Sequence, residues 1–280
     1  MNRFLLVDGS NLLFQMFYGM PARIVNSQGK AIQGTLGFVG ALLKVIRKVD
    51  PNYIFVIFDG EHENSRTLID SSYKANRPDY SKMPEEENPF SQIHDIYAAL
   101  DFMGIKHFET SDCESDDLIA CYALEYAKNT EIIISSLDSD FFQLISDKIS
   151  VLRYHGEKTV ICTPEYIKEK FGITPKQYTD FKALVGDKSD NIKGAEKIGL
   201  KTAAALLKEF GNLKSIIDNA QNIKKPSIRD SVIKNTDKLK MNYQIIKLGS
   251  YDLKPFSLNE LKYSYNGIIT NDVLINIGLK

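Results

Sequence analysis

Short apolar runs and helically spaced apolar positions alternate along the first half of the chain. Residues 4–7, 53–58 and 131–135 are compact runs rich in β-branched and aromatic side chains, as expected of strands buried on both faces. Between these runs, residues 35–49 and 90–100 carry apolar side chains at helical spacing. Strands that alternate with helices form parallel sheets. The pattern therefore predicts an α/β fold with a mostly parallel central sheet flanked by helices.

Later segments predict a hairpin followed by a helical region. Two short strands of a hairpin are predicted within residues 151–162, and Thr163 with Pro164 predicts the start of a helix. Beyond this helix the pattern stays helical. We therefore expect an α/β core over residues 1–174 and a helical, DNA-binding region over residues 175–280.

An aspartate stands at the carboxyl end of each of the three predicted strands. These residues are Asp8, Asp59 and Asp138, and Asp140 follows two positions after the last of them. Because ligands of parallel sheets bind at the carboxyl ends of the strands, we expect the four side chains to lie along one edge. Chance placement of three loop aspartates is the alternative explanation.

A second group of acids stands at the start of a predicted helix: Glu114, Asp116 and Asp117. Glu114 and Asp117 share one helix face, and Asp116 lies on the adjoining flank. Each acid alone also fits a helix-capping or solvent-exposed role, and Ser111 with Glu114 has capping-box spacing. Carboxylates crowded in one place resist ionising unless hard cations lie between them. A metal site is the economical explanation of the whole group.

The polar segment over residues 72–89 contains three prolines, which preclude a single uninterrupted helix. We expect an exposed excursion from the core. Tyr73, Lys74 and Arg77 stand where they can reach the acidic edge. An aromatic face with two cations beside carboxylates suits a phosphodiester and an unpaired base. The alternative is a polar loop whose basic residues are incidental.

Two more acids, Asp187 and Asp190, follow a predicted helix, and a tight turn framed by Gly194 and Gly199 comes next. A turn that exposes backbone amides at a helix N-terminus binds anions. The basic residues of this turn would add positive charge for a DNA phosphate.

The same turn superficially resembles a nucleotide-binding loop. Leu200 separates Gly199 from Lys201, however, and no predicted strand precedes the turn, so the GxxxxGK[ST] pattern fails. We therefore expect no nucleotide cofactor.

Composition allows a nucleic-acid partner despite a formal net charge of −1. Setting nine of the 36 acids aside as one cluster leaves 27 acids against 35 basic residues. Residues 191–240 carry eleven Lys or Arg against five Asp or Glu. Such an excess is expected of a phosphate-facing segment, and a solvated lysine-rich helical face is the alternative.

Other chemistries find little support in the sequence. No apolar run approaches the roughly 18 residues of a membrane span, and the first residues do not form a secretion signal, so we expect a cytoplasmic protein without a membrane partner. Cys113, Cys121 and Cys162 lack metal-binding spacing, which indicates free thiols and argues against zinc. The four histidines are scattered and accompany no serine nucleophile elbow, so the sequence does not support acyl transfer. All-oxygen ligation of Mg²⁺ or Mn²⁺ remains.

Six ordered motifs resemble the 5′ to 3′ exonuclease and flap endonuclease family, which includes the N-terminal nuclease domain of bacterial DNA polymerase I. The motifs are LVDGSN at Asp8, FDG at Asp59, YKANR at Tyr73 to Arg77, CESDD at Glu114 to Asp117, LDSDFFQL at Asp138 to Leu144 and GDKSDN at Asp187 to Asn191. The resemblance spans nearly the whole chain and implies a PIN-like nuclease core with a helical arch over about residues 72–92. With no polymerase following, the chain is similar to the free-standing bacterial version.

The resemblance also implies roles for individual residues. Two Mg²⁺ or Mn²⁺ ions would be held directly or through water by Asp8, Asp59, Glu114, Asp116, Asp117, Asp138, Asp140, Asp187 and Asp190. Lys74 and Arg77 would belong to the arch through which the 5′ single strand passes. Lys74 would stabilise the scissile phosphate, and Tyr73 would stack on an unpaired base.

A helix-hairpin-helix turn over about residues 187–210 is implied as well. It would grip the duplex backbone through Gly194, Lys197, Gly199, Lys201 and Thr202, and in relatives such a turn holds K⁺ through main-chain carbonyls. The chain departs from the family here, because Lys193, Ala195 and Lys197 replace the usual Pro, Val and Gly.

The implied reaction is hydrolysis of DNA at a 5′ flap or end by a monomer, with two metals about 4 Å apart that activate water and neutralise the leaving 3′ oxygen. Junction shape rather than base sequence would set specificity. Two alternatives stay open: a DNA-structure-binding paralogue with weak or no catalysis, and an RNA-cleaving relative with a similar acidic sheet edge.

Overall fold

A six-stranded sheet forms the centre of the protein, which is described here by a computed structural model over residues 2–20, 22–60, 65–249 and 254–280. Its strands stand in the order β3-β2-β1-β4-β5-β6, and all neighbouring pairs are parallel except β5 with β6. The strands are β1 (Arg3–Asp8), β2 (Tyr53–Phe58), β3 (His107–Glu109), β4 (Glu131–Ser135), β5 (Ile149–Arg153) and β6 (Val160–Cys162). The predicted α/β fold with a mostly parallel sheet is confirmed.

Helices cover both faces of this sheet. In the first part of the chain they are α1 (Gly9–Gly19), α2 (Gln33–Val49), α3 (Ser65–Ile69), α4 (Ile93–Phe102) and α5 (Ser115–Tyr126). The helix predicted over residues 35–49 begins two residues earlier, and the one predicted over residues 90–100 is divided into a 3₁₀ turn (Pro89–Gln92) and α4.

The inner positions of the central strands are all apolar because both faces of these strands are buried. In β1, Leu6 points into the core that α5 covers, and Leu5 points into the core that α1, α2 and α4 cover. Successive strand residues face opposite sides of a sheet, so neighbours enter different cores. This double burial explains why these segments read as continuous apolar runs rather than as alternating patterns.

The predicted hairpin and the helix that follows it are present. β5 and β6 pair antiparallel, and α6 (Pro164–Phe171) begins after Thr163, whose side chain accepts a hydrogen bond from the backbone N–H of Tyr166. The helix ends at Gly172, which has a φ of 72°. A left-handed residue of this kind is a common helix terminus.

The next part of the chain is helical, with one small hairpin. It consists of α7 (Tyr178–Val185), β7 (Gly186–Asp187), β8 (Ile192–Lys193), α8 (Leu200–Phe210), α9 (Leu213–Asp218), α10 (Pro226–Lys234) and α11 (Thr236–Ile246). The two short strands pair antiparallel and hold Asp187 and Asp190 at one end of α7. None of the helices in the described ranges has the length and apolarity that crossing a bilayer requires.

The last residues return to the core that α1, α2 and α4 cover. The backbone N–H of Tyr263 donates to the carbonyl of Asn52 over 2.9 Å, and α12 (Thr270–Asn276) buries Val273 against α2 and α4. The expected helical region over residues 175–280 therefore does not pack as one unit, because its final segment belongs to the α/β core. A few scattered apolar positions could not reveal this return from sequence.

Candidate metal-dependent nuclease site

Acids from three strand ends and from the start of α5 line one cavity of about 660 Å³. The cavity lies at the carboxyl edge of the parallel strands, as predicted for the strand-end aspartates. We call its acids the first cluster: Asp8, Asp59, Glu114, Asp116 and Asp138. Lys74 and Arg77 line the same cavity.

Asp8 is fixed by two neutral donors. It is the last residue of β1 and caps α1, because its Oδ1 accepts from the backbone N–H of Asn11 over 2.9 Å. Its Oδ2 accepts from the hydroxyl of Ser136 over 2.8 Å. These bonds orient the carboxylate without neutralising its charge.

Asp59 and Asp138 are held in the same way. Oδ1 of Asp59 accepts from the backbone N–H of Ser115 over 2.8 Å, which places the carboxylate at the N-terminus of α5. Oδ1 of Asp138 accepts from the backbone N–H of Asp140 over 2.8 Å. Both carboxylates border the cavity.

Burial and mutual repulsion act on the pKa values of these acids. Burial, together with the charge of Asp59, raises the pKa of Asp8 to about 7. Burial, followed by the charges of Asp138 and Asp8, raises the pKa of Asp116 well above its ordinary value. Carboxylates that resist ionisation in this way are stabilised by a bound cation, and their oxygen-only donor set fits Mg²⁺ or Mn²⁺.

Asp117 faces away from its neighbour Asp116 and is not among the described residues that line the cavity. Its Oδ1 lies 2.9 Å from Nη2 of Arg66, and both side chains are buried. Arg66 also pairs with Glu114. Sequence reasoning missed Arg66, since a single arginine in a polar stretch carries no signal of burial.

Tyr73 and Lys74 both contact Glu114. The ammonium group of Lys74 pairs with this carboxylate, and the hydroxyl of Tyr73 donates to Glu114 Oε2 over 3.2 Å. The Tyr73 side chain is only 5% exposed, so its ring offers no free face to a base. The hydroxyl of Tyr73 is thus placed to orient Glu114, and the ring that we expected to stack on an unpaired base is buried in this structure.

Residues 72–77 dock onto the β7–β8 hairpin. The backbone N–H of Lys74 donates to the carbonyl of Asp190 over 3.0 Å, and Nη2 of Arg77 lies 2.9 Å from Asp190 Oδ1. Asn191 donates from Nδ2 to the carbonyl of Ser72 over 2.8 Å. Beyond this contact the segment runs through turns and the short 3₁₀ helices Tyr80–Lys82 and Pro89–Gln92, in keeping with its prolines.

A second cluster of acids, Asp140, Asp187 and Asp190, lies on the hairpin side of the site. Each offers an oxygen, and these oxygens lie within 4.8 Å of one another. The ammonium group of Lys182 pairs with both Asp140 and Asp187.

Lys182 shapes the pKa values in this cluster. Burial raises the pKa of Asp140 to about 7 even though the positive charge of Lys182 opposes the shift. Burial also acts to raise the pKa of Asp187, but Lys182 outweighs it and holds that pKa below its ordinary value. Burial acts to lower the pKa of Lys182, whereas the charges of Asp140 and Asp187 raise it overall, so the side chain stays an ammonium ion.

Two amides that sequence reasoning missed position the second cluster. Asn242 on α11 is buried, and its Nδ2 donates to the carbonyls of Ala183 and Lys193 over 3.0 Å each. Gln143 donates from Nε2 to the carbonyls of Asp140 and Ile246 over 2.9 and 3.0 Å. Helix α11, to which the sequence assigned no role, thus fixes α7 and the hairpin.

The glycine turn is built on a close backbone approach. A Cβ atom on Gly194 would lie 2.3 Å from the carbonyl carbon and oxygen of Val185, whereas one on Gly199 would meet nothing within 4 Å. Lys197 has a φ of 64°, a left-handed conformation that suits the glycine usual in the family. Lys197 and Lys201 are exposed, and Thr202 is partly buried at the start of α8.

Comparison with known proteins agrees with this geometry. Residues 3–172 match the 5′-3′ exonuclease, N-terminal resolvase-like domain, and residues 173–266 match the 5′-3′ exonuclease, C-terminal SAM fold. The chain belongs to the 5′-3′ exonuclease family.

Members of the 5′-3′ exonuclease family resemble this chain over most of its length. A 5′-3′ exonuclease of Buchnera aphidicola is 37% identical over 262 residues, which cover 91% of this chain and 86% of the relative. The thermostable DNA polymerase I of Thermus thermophilus is 34% identical over 247 residues. That match covers 88% of this chain, which spans only 28% of the polymerase.

The fold also matches a solved nuclease. The bacteriophage T5 flap endonuclease, solved in a pseudo-enzyme-product complex with DNA and metal ions, has a TM-score of 0.73 and 23% identity. The match covers 89% of this chain and 90% of that protein. At this identity the likeness establishes the fold.

Proposed function

We propose that this 5′-3′ exonuclease family member is a structure-specific 5′ nuclease that hydrolyses DNA phosphodiester bonds, both from 5′ ends and at 5′ flaps. The observation that carries the proposal is the meeting of two acidic clusters with Lys74 and Arg77 at one sheet edge. Carboxylates beside paired cations form a site that can hold both metal ions and a phosphate.

Two divalent ions, Mg²⁺ or Mn²⁺, fit the donors of the two clusters. The first cluster would hold one ion and the second cluster the other, while Asp117, paired with Arg66, would act through the position of α5. When bound, such ions activate the attacking water and neutralise charge on the leaving 3′ oxygen.

Lys74 and Arg77 would hold the scissile phosphate. Both now pair with acids of the clusters, Lys74 with Glu114 and Arg77 with Asp190. A phosphate entering the cavity would compete with Glu114 and Asp190 for Lys74 and Arg77. A bound metal ion would then balance the charge of the two acids that had lost their basic partners. Charge-assisted bonds from Lys74 and Arg77 would then orient the phosphate for attack.

The glycine turn would grip the duplex on the far side of the hairpin. Its backbone amides and the exposed Lys197 and Lys201 suit a DNA phosphate, and its main-chain carbonyls would hold K⁺. Lys197 replaces a glycine without changing the left-handed backbone that the turn needs. The protein would act as a cytoplasmic monomer on DNA with a 5′ single-stranded flap or end, without a nucleotide cofactor.

One observation favours a second candidate, a DNA-structure-binding paralogue with weak or no catalysis. Lys182 already occupies two acids of the second cluster. If a metal ion never displaced the Lys182 ammonium group from these acids, the protein would bind DNA junctions without cutting them.

Cleavage of a 5′-flap duplex in Mg²⁺, with EDTA as the control, tests the proposal. We expect metal-dependent incision near the junction, and faster cutting of the flap than of a single strand of the same sequence. Replacing the flap strand by RNA tests the ribonuclease alternative. Tight flap binding without incision in Mg²⁺ or Mn²⁺ would contradict the nuclease assignment and support the binding paralogue.

A further inference from the structure

A buried lysine lies inside the second cluster. Lys182 stands on α7, five residues before Asp187, and is 6% exposed. Its ammonium group pairs with Asp140 and Asp187, and the remaining acid, Asp190, pairs with Arg77. Every carboxylate of this cluster therefore already has a cation from the chain itself.

In the first cluster Glu114 pairs with Lys74 and Arg66, but the three strand-end aspartates are held differently. Within the described ranges, the hydrogen-bond donors to Asp8, Asp59 and Asp138 are backbone N–H groups and a serine hydroxyl. Neutral donors orient a carboxylate but leave its charge for an incoming ion. A divalent ion can join these three acids without displacing a cation that belongs to the described residues.

Charge and space both oppose adding an ion beside Lys182. Three carboxylates with Lys182 and Arg77 leave one net negative charge, so a divalent ion added to them would leave a net positive one. An ion that replaces the ammonium group would leave the cluster neutral. Mg²⁺ needs oxygens at about 2.0–2.1 Å, so it requires the same oxygens that the ammonium group holds.

We propose that Lys182 is an internal competitor for the second divalent ion, which binds only by displacing the ammonium group from Asp140 and Asp187. This inference rests on the proposed two-metal function. The first cluster fills first, and the second ion binds more weakly. A substrate phosphate offers the displaced ammonium group a new anionic partner, so the second ion is retained best when DNA is in the site.

Mn²⁺ titration of the metal-free full-length chain, without DNA, tests this competition. The free ion is followed by electron paramagnetic resonance for the natural chain and for Lys182→Met, which keeps the length of the side chain and removes its charge. We expect Lys182→Met to bind the second ion about tenfold or more tightly, with the first ion unchanged. Lys176→Met, at an exposed lysine of the preceding turn, should match the natural chain.

An unchanged or weaker second affinity in Lys182→Met would overturn the inference. Lys182→Gln, which keeps a hydrogen-bond donor but no charge, gives the same test if the methionine variant does not fold. Asp187→Asn should abolish binding of the second ion in both the natural chain and Lys182→Met. This result would identify the second cluster as the binding site of that ion. Flap cleavage by the natural chain is measured separately, so cleavage with an unchanged second affinity would overturn the role of Lys182 and leave the nuclease function standing.

Discussion

Nη2 of Arg66 lies 2.9 Å from Oδ1 of Asp117, and both side chains are buried at the start of α5. The same guanidinium pairs with Glu114, so one residue of α3 binds two acids of the CESDD motif. Asp116 is left to line the cavity. Arg66 thus holds Asp117 in the protein interior and orients Glu114, which lines the candidate metal site together with Asp116.

Replacing Arg66 by Met should destabilise the protein strongly. Breaking a buried ion pair leaves an uncompensated charge, and such changes cost about 3–5 kcal/mol of unfolding free energy. Urea unfolding in EDTA measures the loss. The control is Arg23→Met, which breaks an exposed pair with Glu86 and should cost at most about 1 kcal/mol. Equal losses in the two variants would show that Arg66 has no special structural role.

The acids of the site and two of their basic partners, Lys74 and Arg77, could be predicted from sequence, but the buried partners Arg66 and Lys182 could not. Asp8, Asp59 and Asp138 each follow an apolar run that reads as a strand, so their common edge follows from the parallel topology. Arg66 and Lys182 are residue types that usually lie on the surface, so the sequence does not distinguish them from exposed basic residues. Their burial depends on tertiary contacts that no local pattern encodes.

Replacing Asn242 by Ala should loosen the second cluster. The change removes the donor to the carbonyls of Ala183 and Lys193, and leaving buried polar groups unpaired costs about 1–3 kcal/mol. Urea unfolding measures the loss, and weaker binding of the second Mn²⁺ ion should accompany it. Gln244→Ala, at an exposed position on the same helix, should change stability by less than about 0.5 kcal/mol. If Asn242→Ala changed neither stability nor binding of the second Mn²⁺ ion, the role assigned to α11 would be refuted.

The two turn glycines should respond differently to alanine. Gly194→Ala would force a Cβ to 2.3 Å from the Val185 backbone, so we expect a loss of about 1–3 kcal/mol and weaker duplex binding. Gly199→Ala meets no atom within 4 Å and should leave stability nearly unchanged. Thermal unfolding and DNA affinity of the two variants test the contrast. Similar behaviour of both would show that the close approach is not required.

The structural features that could not be predicted from sequence are either very short or formed by residues far apart in the chain. The strands β7 and β8 have two residues each, too few for a period to show. The return of the last residues to the core that α1, α2 and α4 cover pairs residues more than 200 positions apart, such as Asn52 with Tyr263. The buried ring of Tyr73 could not be foreseen either, because an aromatic residue in a polar, proline-rich segment suggests exposure.

Cleavage and binding of 5′-flap DNA by Asp138→Ala test the central claim most directly. Asp138 lines the cavity, and the loss of its carboxylate should remove several kcal/mol of metal-dependent stabilisation, a fall in rate on the order of a hundredfold or more. Asp147→Ala, at an exposed aspartate nine residues later in the chain, is the control and should cut normally. The account predicts that Asp138→Ala loses most cleavage in Mg²⁺ while its DNA affinity stays largely unchanged. Equal loss of cleavage and binding, or normal cleavage, would contradict it.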